Sequence, residues 1–177
     1  MQFAKDSFYM ALRERLASLN PQRTVTLNGV TRPAVIVAEN ELVIPVEPLP
    51  DAFYIEWAAS QTVDGQAGSR SLMVMDCVIS HHTFGTVESG VDRGRTLAAL
   101  DMELTGICQP ARTGKQDFTQ TPSVDLGTNI FWTVPKLGPV AGSDGPRNET
   151  LPGRGQSVRL ERRALLKVFF FTEVNTL

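Results

Sequence analysis

Histidine and cysteine are scarce in this chain, with two of each in 177 residues, and neither pair has the spacing that chemistry requires. Cys77 and Cys108 lie in unrelated segments with no CxxC or Cys/His pattern. They offer no metal knuckle or redox dithiol, and both read as reduced, buried small hydrophobes. His81 and His82 are adjacent. On a strand, neighbouring side chains point to opposite faces, so the two cannot share one ion, and one packed and one exposed imidazole are expected. Any serine or cysteine triad would have to draw its base from that same pair, and no GxSxG or cysteine-protease pattern is present.

Long hydrophobic runs are also missing. No stretch approaches the ~20 apolar residues that span a bilayer. The opening Met1–Asp6 has no basic segment leading into an apolar one, so no signal peptide is expected and the chain is placed in the cytosol. A net charge of −2 and a pI near 5.7 are the wrong sign for a protein whose main work is gripping a nucleic-acid backbone. The phosphate-loop patterns fail too. Gly90-Val91-Asp92-Arg93-Gly94-Arg95 lacks the Walker Lys-Ser/Thr and the dinucleotide GxGxxG, and Asp92 reads as a helix N-cap. Asp101 and Glu103 diverge by about 200° on a helix, so they are no carboxylate pair. Asp51 and Glu56 have opposite parity on a strand.

What is present fits one domain over residues 1–177, with an ordinary globular composition of 42% hydrophobic and 20% charged residues. Residues 5–19 repeat Phe8, Ala11, Leu12, Leu16 and Leu19 at helical spacing, and Asn20-Pro21 ends the helix. Asn28-Gly29 between β-branched runs predicts a type I′ hairpin, its second strand continuing toward Ala34–Val37 past Pro33. Leu42–Val46 and the aromatic Phe53–Trp57 are strand candidates. Gln61–Ser69 reads as a loop tip. Leu72–Ile79 is apolar at nearly every position, the pattern of a central strand covered on both faces. A second helix is expected over about 92–108. Residues 111–157 are rich in glycine and proline and read as long exposed arms around one strand near 129–134. Leu165–Phe171 closes the chain as a hydrophobic strand, whose Phe169-Phe170-Phe171 run implies cover on both faces. The order predicts an α+β fold: a mainly antiparallel sheet, helices packed on one face, and extended loops at 58–70 and 111–157.

One charge concentration stands out: Arg154, Arg159, Arg162, Arg163 and Lys167. No interleaved aromatics at stacking positions accompany it, so a solvated face or an inter-subunit salt-bridge strip is favoured over nucleic acid. The residues assigned to a subunit or partner interface are Arg154, Arg159, Arg162 and Arg163, with Asp64 and Arg70 at the 58–70 loop.

The helix, the Asn28-Gly29 hairpin, the strand 72–79, the helix 94–108 and the strand 165–171 together resemble the tail terminator (tail completion) proteins of long-tailed bacteriophages. The local texture of Phe8–Leu16 and Arg93–Leu100 adds to the resemblance, which covers most of the chain outside 111–157. It implies a ring, usually hexameric, that caps the finished tail tube and meets the head connector. DNA would pass through the lumen without specific binding. The resemblance further implies no enzymatic activity, no cofactor, assembly in the host cytoplasm and a final place in the virion tail. The chain departs from that pattern by its length, its extra residues falling in the two loops. A head–tail joining or tail tube subunit is the near alternative. A small nucleic-acid-binding module using the arginine tract, or an enzyme using His81 or His82, belongs to different classes.

Overall fold

The computed structural model describes residues 1–41, 48–64, 70–85, 90–144 and 158–172. Helix α1 (Gln2–Leu19) buries Ala4, Phe8, Leu12 and Leu16, the every-fourth-residue stripe that a helix lays against a core. It ends where Asn20 leaves the helical region, the Asn20 amide still donating to the Leu16 carbonyl at 2.8 Å. Strands β1 (Thr24–Leu27) and β2 (Val30–Pro33) then form an antiparallel hairpin. Asn28 and Gly29 have φ of 50° and 79°, the positive pair that a type I′ turn demands. Pro33 has no N–H to extend the ladder. The expected continuation is accordingly a separate strand, β3 (Val35–Val37), which joins a different sheet. A single helical turn, α2 (Ala38–Glu41), follows. The strand predicted at Leu42–Val46 lies outside the described residues.

The main sheet contains β3, β4 (Phe53–Asp64), β5 (Leu72–Thr83), β6 (Arg112–Asp117), β7 (Val124–Trp132), β8 (Lys136–Leu137), β9 (Ala141–Asp144) and β10 (Val158–Phe171), with α3 (Gly90–Ile107) after β5. Its order is β3-β4-β5-β10-β7-β6, with β8 and β9 also on β10. Among the described residues only β3–β4 is parallel. The hub is β10. One edge runs antiparallel to β5 from Leu160 to Phe171, and the other is shared in turn by β9, β8 and β7. The fold is α+β, with a mainly antiparallel sheet.

Both helices cover one face of that sheet. Alternation along β10 turns Ala164, Leu166, Val168 and Phe170 inward, beside Ile79, Cys77 and Met75 of β5. Phe8 of α1 enters this core edge-on to Trp57 and Trp132, with ring centroids 5.7 and 5.2 Å away. The Arg15 guanidinium donates to the Ile107 and Gln109 carbonyls at 2.8 and 2.7 Å, tying α1 to the end of α3. Lone carbonyls at a helix C-terminus carry partial negative charge, so a cation fits there.

Several expectations are corrected. Residues 58–64 are strand: β4 runs on to Asp64, so the loop predicted at 58–70 is a long hairpin arm whose tip lies outside the described residues. Residues 58–63 are exposed, and ladder bonds to β5 hold them in place of burial. The region 111–157 contains β6 to β9 as far as Asp144, and 145–157 lie outside the described residues. A register shift between Gly114 and Gln116 and the positive φ of Gly127 interrupt the alternation that marks strands in sequence. Asp92 stands in the first turn of α3, not at its cap.

Candidate functional site

Strand parity divides the basic tract of β10. Arg159, Glu161 and Arg163 share one face, and Glu161 holds both guanidiniums, at 3.0 Å to Arg159 and 3.4 Å to Arg163. Arg162 points to the helix side, where its Nε lies 3.0 Å from Asp101 of α3 and Nη1 donates to the Gly138 carbonyl at 2.8 Å. Lys167 meets Asp76 of β5 at 3.0 Å. Four cations that sequence reads as one strip therefore each face a carboxylate of the same chain. Arg154 lies outside the described residues. Asp64 ends β4, and Arg70 precedes β5 on the surface.

The histidines depart from expectation, because both are buried. The segment before β4 folds against this end of the sheet: the Asp51 amide donates to the His82 carbonyl at 2.8 Å, and the Tyr54 hydroxyl donates to the Leu49 carbonyl at 3.2 Å. That cover takes the face where an exposed imidazole was predicted. His81 lies on the helix side, with Nε2 2.9 Å from Asp101 Oδ1 and its ring edge-on to Phe53. Burial pushes its pKa below 6.5, against the pull of the Asp101 hydrogen bond. The ring is neutral at pH 7. Its side chain has 0% exposure, so no substrate can meet it while α3 is in place. This His–Asp–Arg group ties α3 to β5 and β10. Sequence missed it because it joins three distant segments.

The opposite face of the sheet is partly bare. Phe131 of β7 and Phe169 of β10 pair across the ladder and stack at 5.0 Å with 4° between their planes. Near them Leu165 is 56% exposed, and Phe131 and Phe171 are each 38% exposed. The expectation that cover on both faces accompanies the phenylalanine run fails here, because both helices lie on the other side. Arg112, opposite Phe131 on β6, projects beside this strip. The Asn129 carboxamide, its oxygen turned toward Arg112, accepts from Nε at 3.1 Å and Nη2 at 2.8 Å. Arg70 lines the same cleft from the start of β5. Sequence reasoning named Arg70 but not Arg112 or Phe131. The odd-numbered alternation Leu165, Phe169, Phe171 was the available signal.

Among the described residues no three histidine, cysteine or acidic side chains gather as a metal site, and no helix is long and apolar enough to cross a membrane. Fold and surface together define an α+β domain with one helix-covered and one partly open sheet face. No known protein family matches the sequence, and no curated protein does. Among solved structures the chain is similar, over 95% of its length and 94% of the other's, to a chain of the "Virion of native gene transfer agent (GTA) particle". The identity is 15% and the TM-score 0.40. A likeness that distant carries no argument about what either chain does.

Proposed function

We propose that this chain is a structural subunit of a phage-like particle, and within that class a tail terminator. It would form a ring that closes the tail tube and meets the head connector, with DNA passing through the lumen unheld. The observation that carries the reading is the open apolar surface of Phe131, Phe169 and Phe171, with Leu165 beyond Lys167, on the sheet face away from the helices. Contiguous apolar surface rimmed by polar groups is the signature of a surface made to be covered by another protein. The element order that resembles tail terminators supports the same reading, as does the long β4–β5 arm that reaches beyond the core. The His81 imidazole, sealed under α3, serves packing in this account, and the protein acts by assembly without a cofactor.

Native mass spectrometry and negative-stain imaging of the purified chain test it. Closed rings of about six copies are expected, and they should bind the ends of tail tubes. A tail tube subunit would instead polymerise into open tubes. A monomer at high micromolar concentration that leaves tube ends free would remove the proposal.

A further inference from the structure

The cleft at the end of the bare sheet face is built unlike the rest of the surface. It has a volume of about 640 Å³ and is lined by Arg70, Arg112, Asn129, Phe131 and Phe171. That volume is within the roughly 300–1,000 Å³ of ligand-sized sites. Its two guanidiniums differ from the other arginines of the sheet. Arg159, Arg162 and Arg163 each face a carboxylate. Arg112 is held by a neutral amide, and Arg70 has no hydrogen bond or ion pair among the described residues. Neither meets a carboxylate among the described residues, and both line the cleft together with Phe131 and Phe171.

We propose that this cleft binds a protein segment that carries a carboxylate beside an apolar side chain. The carboxylate would sit between Arg70 and Arg112, whose planar forks match its two oxygens. The apolar neighbour would lie on Phe131 and Phe171, beside the stacked Phe169. Asn129 fixes the Arg112 fork in advance, which lowers the ordering cost of binding. Charge complementarity selects the occupant. A nucleic-acid strand needs a row of unpaired cations to follow its phosphates, and here the neighbouring Arg163 and Lys167 are already matched by Glu161 and Asp76. The inference deepens the assembly reading by naming the chemistry of a partner, but its test stands apart from ring formation.

The full-length chain, labelled with nitrogen-15, would be titrated with the capped peptide acetyl-Asp-Leu-Asp-Phe-amide. Saturable amide shifts are expected at residues 127–131 and 171. The analogue acetyl-Lys-Leu-Lys-Phe-amide should leave those amides unmoved. Arg70→Gln combined with Arg112→Gln should raise the peptide's dissociation constant by about tenfold or more, the loss of two charge-assisted contacts. Should the double variant unfold, Arg70→Gln alone must still weaken binding several-fold, since it breaks no contact within the described chain. Scattered shifts, equal binding of the lysine peptide, indifference to the arginine changes, or tighter binding of an oligothymidylate would each overturn the proposal. A chain that binds the acidic peptide yet stays monomeric would remove the ring and leave this site standing.

Discussion

Asp101 and Glu103 sit two residues apart on α3 and serve opposite sides of the helix. Glu103 accepts from Arg23 at 2.8 and 3.1 Å and from Asn20 at 2.7 Å, fastening α3 to the end of α1 and the start of β1. Burial pushes its carboxyl up, but these hydrogen bonds outweigh it, and the group titrates below the usual 4.5. Its folded pKa is depressed, so its contribution is present above 4.5 and is lost as pH falls toward the folded value. Glu103→Ala should cost about 1–3 kcal/mol at pH 7 by urea unfolding, and little once the wild-type carboxylate is protonated. His81 has the other sign relation. Below pH 6.5 the unfolded chain takes up a proton that the buried folded ring resists. Stability should therefore decline as pH falls through that value, and His81 should make no contribution to the slope above it. In His81→Gln the fall in Tm between pH 7 and 5 should be shallower than in the wild type. Parallel slopes would mean that another group titrates there.

At the scale of elements, two features hold the architecture in place. Phe8 is fully buried between two tryptophans from β4 and β7, so it joins α1 to strands on both sides of the hub. Phe8→Ala should destabilise by about 3–5 kcal/mol in denaturant unfolding, the range for deleting a buried aromatic. The hairpin turn is a smaller test of backbone conformation. At Gly29 a Cβ would meet nothing within 4 Å, but φ is +79°. Gly29→Ala should then cost about 1 kcal/mol through strain alone, with the core left intact. A much larger loss would mean that the hairpin tip packs against something.

For the whole molecule, the asymmetry of the sheet is the central fact. The helices spend their apolar stripes on one face, and the other keeps Leu165, Phe131 and Phe171 in view. Leu165→Lys should leave Tm within a few degrees, because surface changes away from packed contacts have small effects. The same change should reduce self-association in sedimentation velocity. If Leu165→Lys instead collapses the fold, the strip is core, and the assembly reading loses its support.

Much of this was legible in the residues. The spacing of Phe8, Leu12 and Leu16, the stop at Asn20-Pro21, the Asn28-Gly29 turn and the apolar runs of β5 and β10 are local signals, and each element formed where its pattern lies. The strands within 58–64 and 111–144 were not legible. They are polar, bulged, or held by ladder bonds to strands far away in sequence, and burial leaves little trace in such segments. The site was harder still. Sequence could list arginines but could not pair them all. Strand parity alone sets Glu161 beside Arg159 and Arg163, but only the placement of α3 gave Arg162 its Asp101 and only the register of β10 against β5 gave Lys167 its Asp76, while among the described residues no carboxylate meets Arg70 or Arg112. Local propensity determines helices, turns and hydrophobic strands. Which charges end neutralised, and which face of a sheet stays open, depends on contacts between distant segments, and tertiary structure alone supplies those.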